Sequence, residues 1–310
     1  MDKPLIEIYL ANPRGFCAGV ERAIAIVELA LGKYGAPVYV RHEIVHNKFV
    51  IDQLKLKGAI FVDEINDIPR GAVTIFSAHG VGQMVKDQAK EKDLRVINAT
   101  CPLVTKVQLQ AKKFSSESYK IVLIGHKNHP EVVGIRGSIK DNIIVIESKD
   151  DIPKISYKEG DKIAYITQTT LNVDDTSVVI DRLKKRFPQI VGPNIDDICY
   201  ATQNRQNAVK KMMHLVDKIL VIGANNSSNS NRLHEIALNN NVQSYLISGP
   251  SDISMKMLEG IGKIGITAGA SAPEELVQKV ISHIKTFRHV QLLELLGTVE
   301  KTRFRMPILF

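Results

Sequence analysis

Tryptophan is missing from the 310-residue chain, aromatic residues make up only 5% of it, and cysteine occurs three times. An odd number of cysteines, in a chain whose start runs straight into "IEIYLANP" without a signal-peptide layout, speaks against a disulfide framework and for free thiols or metal ligands. No apolar run approaches the ~20 residues of a membrane span, so no membrane partner is expected and the expected location is the cytoplasm. No G-x-G-x-x-G fingerprint follows a strand pattern, which removes the usual sign of a dinucleotide cofactor. Nothing resembles a zinc finger or a basic arm, so nucleic acid is not an expected partner. The formal net charge of +8 suits an anionic substrate or an acidic protein, although segments such as "LKKRF" and "VKKMM" spread it over solvated helix faces.

The three cysteines share one setting. Cys17 stands in "NPRGFCAGVERA", Cys101 in "VINATCPLVTKVQLQ" and Cys199 in "NIDDICYATQNRQ", each after an apolar segment and at the opening of a helical pattern. A helix N-terminus carries unsatisfied N–H groups and a partial positive charge, which favours a thiolate. The alternative for each is a small buried hydrophobe. Counting 28 or 29 residues on from each cysteine reaches His46, His129 and Ser228, each just past a strand pattern. Some 62 to 72 residues on, "VTIFSAHGVGQMV", "IAYITQTTLNVDD" and "KIGITAGASAPEELV" place another strand, a polar elbow and a helix.

Strands alternating with helices predict parallel sheets, and the repeat predicts three similar α/β lobes in a pseudo-threefold trefoil. The lobes are expected at residues 19–101, 102–195 and 196–285, the third completed by residues 1–18. The tail, 286–310, is expected only to pack across a lobe. Ligand groups in open parallel sheets gather at the carboxyl ends of strands and at helix N-termini, where every elbow falls.

Three thiolates could hold zinc, which usually wants four tetrahedral ligands or added histidine and carboxylate. They could also hold an iron–sulfur cluster with one iron lacking a protein ligand. The elbows add His46, His79, His129, Ser227, Ser228, Asn229 and Ser271, a set of donors with little negative charge that suits a phosphate or diphosphate. Glu131, two residues after His129, is placed to deliver a proton or merely to favour a helix N-terminus. Thr169 and Thr170 offer relay hydroxyls.

Taken together, "NPRGFCAGVERA", "RHEIVHN", "FSAHGV", "NATCPLVTKV", "GHKNHPEV", "TQTTL", "DDICYATQNRQ", "NSSNSNRL" and "TAGASAP" resemble the 4-hydroxy-3-methylbut-2-enyl diphosphate reductase family of the non-mevalonate isoprenoid pathway. The resemblance covers about residues 5 to 285. It implies a trefoil around a [4Fe-4S] cluster, which becomes [3Fe-4S] on loss of the iron without a protein ligand. It also implies reductive removal of an allylic hydroxyl, giving isopentenyl and dimethylallyl diphosphates with electrons from a reduced ferredoxin or flavodoxin. Carried over, Cys17, Cys101 and Cys199 are the implied cluster ligands and Glu131 the implied proton donor with Thr169 nearby. His46, His79, His129, Thr169, Ser227, Ser228, Asn229 and Ser271 are the implied substrate contacts. The competing readings are an iron–sulfur binding or sensing protein without turnover and a zinc-dependent hydrolase.

Overall fold

Isoleucine- and valine-rich runs bounded by glycine, proline and asparagine set the strands, and polar residues at the ends of those strands start the helices. The computed structural model describes residues 3–139, 142–158, 160–193 and 197–309. The expected lobe boundary at 195/196 lies outside the described residues. The first elements are β1 (Leu5–Leu10), α1 (Ala18–Tyr34), β2 (Val38–Arg41), α2 (Lys48–Leu56), β3 (Ala59–Val62), β4 (Val73–Phe76), α3 (Gln83–Glu91) and β5 (Arg95–Asn98). Next come α4 (Pro102–Ser116), β6 (Lys120–Ile124), α5 (Pro130–Arg136), β7 (Ile143–Ile146), β8 (Ile163–Thr167) and α6 (Val173–Arg186). The remainder is α7 (Tyr200–Met212), β9 (Lys218–Ile222), α8 (Ser228–Asn239), β10 (Gln243–Ile247), β11 (Lys263–Ala268), α9 (Glu274–Phe287) and β12 (His289–Glu294).

The strands form three sheets with the orders β10-β9-β11-β1-β12, β3-β2-β4-β5 and β7-β6-β8, all paired parallel. One pattern runs through all three. In the first two, the strand that leads into a cysteine (β1 or β5) lies beside the strand that ends in a polar elbow (β11 or β4). In the third the leading strand shrinks to one parallel bridge, Ala164 with Val191. Strands such as β8 and β11 are buried along nearly their whole length, as parallel sheets covered on both faces require.

The chain divides into two compact units. The first comprises Met1–Ala18, His46–Val50 and Tyr200–Arg303 and holds the five-stranded sheet. Its core sets Ile6, Ile8, Ile264 and Ile266 against Leu276, Val277, Val280, Ile281 and Ile284 of α9, the one-sided spacing of an amphipathic helix. Each such side chain contributes about 1.5 to 3 kcal/mol when fully buried. The second unit comprises Gly19–Val45, Ile51–Cys199 and Phe304–Phe310 and holds the other two sheets.

The tail departs from expectation. Residues 289–294 are the edge strand β12, in register with β1 from Leu5 opposite His289 to Leu10 opposite Glu294. Its alternation is weak because the strand is largely exposed, and its partner stands near the other end of the chain.

Candidate active site

In the second unit the elbows after β4, β6 and β8 supply the polar groups. Cys101 is the residue before α4, with Pro102 opening the helix, where a missing N–H is no loss. Its amide donates to the Ala78 carbonyl at 3.0 Å, which ties the cysteine to the elbow carrying His79. The Cys199 amide donates to the Thr169 carbonyl, also at 3.0 Å. The rings of His79 and His129 meet edge to face with centroids 5.8 Å apart. Ser77 Oγ lies 3.4 Å from His79 Nδ1. His129 caps α5, its Nδ1 accepting from the Glu131 amide at 3.2 Å. Neutral His129 therefore carries its proton on Nε2, the donor side of the ring.

Glu131 is 2% exposed. Its Oε1 accepts from the Thr169 amide at 2.8 Å and its Oε2 from the Thr169 hydroxyl at 2.9 Å. Burial, which disfavours the charged form, is the largest influence and pushes the carboxyl up to about 7; the buried carboxylate of Asp197 adds to it, against the two Thr169 hydrogen bonds. Helix stabilisation is not what such a residue is suited to, since a neutral carboxyl offers the macrodipole little. A buried acid that exchanges its proton near neutral pH is the chemistry on offer.

In the first unit the Cys17 amide donates to the Ala270 carbonyl at 3.3 Å, repeating the link from cysteine to elbow. Gly15, two residues earlier, has φ +69°, and a Cβ there would stand 3.0 Å from the Ala272 carbonyl oxygen. Glycine is what this turn admits. Ser271 Oγ donates to the His46 carbonyl at 3.0 Å, and Asn229 Oδ1 accepts from the Ala270 amide at 2.9 Å. Ser227 caps α8, its hydroxyl accepting from the Ser230 amide. Ser228 and Asn229 form the first turn of that helix, where N–H groups and the dipole favour an anion. His46, Asn229 and Ser271 are thus joined through one elbow.

None of the three cysteines is in a disulfide, and all are half-buried. Among the described residues no three His, Cys, Asp or Glu side chains converge as ligands of a single metal ion. Sequence reasoning passed over Asn47, which accepts from the Val50 amide and so starts the helix after His46. It also passed over Asp197, whose carboxylate accepts from the Thr167 amide. The signal for Asn47 was legible as an N-cap before "KFVIDQL"; Asp197 had none, because its burial is not local.

A family model described as LytB protein matches residues 8–285. The chain is 54% identical over 305 residues to a protein of Glaesserella parasuis serovar 5 (strain SH0165) called 4-hydroxy-3-methylbut-2-enyl diphosphate reductase, covering 97% of each. It is 52% identical over 301 residues to the protein of the same description from Azoarcus sp. (strain BH72), covering 97% of this chain and 96% of that one. Among solved structures, the E-1-hydroxy-2-methyl-but-2-enyl-4-diphosphate reductase from Plasmodium falciparum matches with a TM-score of 0.92 at 38% identity, over 99% of this chain and 96% of that one.

Proposed function

Because the chain belongs to the LytB protein family, we propose that it catalyses reductive dehydroxylation of (E)-4-hydroxy-3-methylbut-2-enyl diphosphate to isopentenyl and dimethylallyl diphosphates. The substrate rests on the near full-length likeness to reductases of that description. The chemistry rests on one observation above the others, the buried Glu131 carboxyl held by Thr169 with a pKa of about 7. Replacing an allylic hydroxyl by hydrogen consumes two electrons and two protons and releases one water. One proton must reach the departing oxygen, and a buried acid poised near neutrality suits that step.

Cys17, Cys101 and Cys199 would hold a [4Fe-4S] cluster. The fit is chemical: Cys17, Cys101 and Cys199 form no disulfide and each stands directly before a helix, and thiolates are the donors such a cluster takes. When bound, the cluster supplies single electrons and one Lewis-acidic iron without a protein ligand; air oxidation would leave it as [3Fe-4S]. Electrons would come from a reduced ferredoxin or flavodoxin, in the cytoplasm. No helix among the described residues is long and apolar enough to cross a membrane.

The chain's own groups divide the remaining work. Protonated Glu131 can donate to the Thr169 hydroxyl, which then turns its own hydrogen toward the substrate oxygen; the same 2.9 Å contact serves both directions. His129 Nε2 and the His79 and His46 rings would donate to the diphosphate, joined by Ser227, Ser228, Asn229 and Ser271 around the start of α8. Burial of Glu131 excludes the water that would otherwise level its acidity.

Turnover of the hydroxylated allylic diphosphate by anaerobically purified protein, with dithionite and a viologen dye, is the test. Formation of both C5 diphosphates with loss of the hydroxyl is expected. A protein rich in iron and sulfide but inert toward this substrate would instead support a binding or sensing role, which leaves Glu131 without a purpose.

A further inference from the structure

We propose that Arg205 and Arg22 are positioning residues for the Cys17 and Cys101 loops, and that the segment 295–309 is the strap that holds both guanidinium groups in place. This rests on the reading of Cys17 and Cys101 as cluster ligands.

Arg205, on α7, is fully buried. Its Nε donates to the Gly15 carbonyl at 2.9 Å and its Nη2 to the Phe16 carbonyl at 3.1 Å, the two residues directly before Cys17. A planar guanidinium with fixed donors can bind two successive carbonyls at once, and so fixes the peptide that carries the thiol. A buried cation needs a partner. Glu300 provides it, with Oε1 accepting from Nη1 at 3.0 Å and Oε2 from Nη2 at 3.3 Å. Asn204 Nδ2 donates to the same carboxylate at 3.0 Å.

The approach of Glu300 is itself constrained. The Leu295 amide donates to the Leu10 carbonyl at 3.0 Å, and the chain then runs so close to Asn12 that a Cβ on Gly297 would lie 1.7 Å from the Asn12 carbonyl oxygen. Only glycine allows that passage.

The second unit repeats the device. Arg22, on α1, donates from Nη1 to the Thr100 carbonyl at 3.1 Å and to the Ala99 carbonyl at 3.4 Å, the two residues directly before Cys101. Its Nε donates to the Arg305 carbonyl at 2.8 Å. Lys33 Nζ, further along the same helix, donates to the Leu309 carbonyl at 2.9 Å. Loops without regular pairing leave carbonyls that need donors, and the same solution appears twice, each time closed by the tail.

The test is alkylation of the cluster-free full-length protein with iodoacetamide, each cysteine followed by peptide mass spectrometry and Cys199 serving as internal standard. Glu300→Gln is expected to speed alkylation of Cys17 roughly tenfold over Cys199, the scale of one lost charge-assisted contact, with Cys101 unchanged. Stopping the chain after Arg303 is expected to speed Cys101 and not Cys17. Glu300→Asp should restore most of the Cys17 protection. On reconstituted holoenzyme, Glu300→Gln should shift the electron paramagnetic resonance lines of the reduced cluster. Equal acceleration of all three cysteines, or of none, would overturn the proposal. Should Cys17→Ala and Cys101→Ala retain full iron and sulfide, the ligand reading fails, whereas the alkylation pattern still decides the strap.

Discussion

Thr169 grips both oxygens of Glu131, its amide on one at 2.8 Å and its hydroxyl on the other at 2.9 Å. Both bonds favour the carboxylate, and yet the group is held up at about 7 because its burial outweighs them. The pair is therefore an acid whose proton is retained by desolvation and whose direction is fixed by one residue.

Turnover should decline as pH rises through about 7, where Glu131 loses the proton that the proposed reaction asks of it. Rate measurements from pH 5.5 to 9 should show this limb in the wild type and lack it in Glu131→Gln. A flat profile over that range in the wild type would remove Glu131 as the acid.

Stability should carry the same signature with a definite sign. The folded state keeps Glu131 protonated up to about 7, whereas the unfolded chain ionises it near 4.5, so the native state binds the extra proton between those values. The contribution is complete below about 4.5 and is lost as pH rises to 7, amounting to about 3 kcal/mol. Denaturation of cluster-free wild type and Glu131→Gln should give curves that diverge over this window, the variant becoming relatively more stable as pH rises.

Glu131→Gln should reduce kcat by about 100-fold to 10,000-fold, the usual contribution of a positioned general acid, while iron content and substrate affinity persist. Thr169→Val should fall less, since water can replace a relay hydroxyl. Single-turnover kinetics with thermal melts on the same samples check it: a lowered melting temperature beside normal turnover would mark Glu131 as structural.

Replacement of His79 or His129, which touch edge to face, or of Asn229 at the start of α8, should weaken substrate binding. The loss per donor to an anion is about 1.5 to 3 kcal/mol, roughly one to two decades in affinity. Calorimetric titration of the diphosphate substrate into each variant measures it, and unchanged affinity in all three would take these residues out of the site.

Anaerobically isolated protein should be brown and should lose colour and activity together in air, because an iron without a thiolate is exposed to oxidation. Cys17→Ala, Cys101→Ala and Cys199→Ala should each fail to retain the full iron and sulfide complement. Colourless protein with normal turnover after chelation would contradict the cluster.

Much of the arrangement was legible along the chain because its signals are local. Strand runs such as "KIGITA", the caps Asn172 and Ser227 and Pro102 after Cys101 act within a few residues, so the elbows could be located before any tertiary contact was known. The recurrence of cysteines at one phase of the strand–helix alternation suggested three sheets, and three parallel sheets are present. Ahead of Cys199, where the sequence shows only an apolar segment, the pairing is a single bridge at Val191.

The sequence by itself determined which residue types stand at each elbow, since capping, periodicity and glycine at a positive φ depend on neighbours within a turn. Tertiary structure alone decided that β12 would pair with β1 across nearly the whole chain, that Arg205 would find its counter-ion 95 residues away in Glu300, and that Glu131 would be covered deeply enough to keep its proton. Each of these depends on desolvation and on the closing of long loops, and both are properties of packed surfaces that no local pattern encodes.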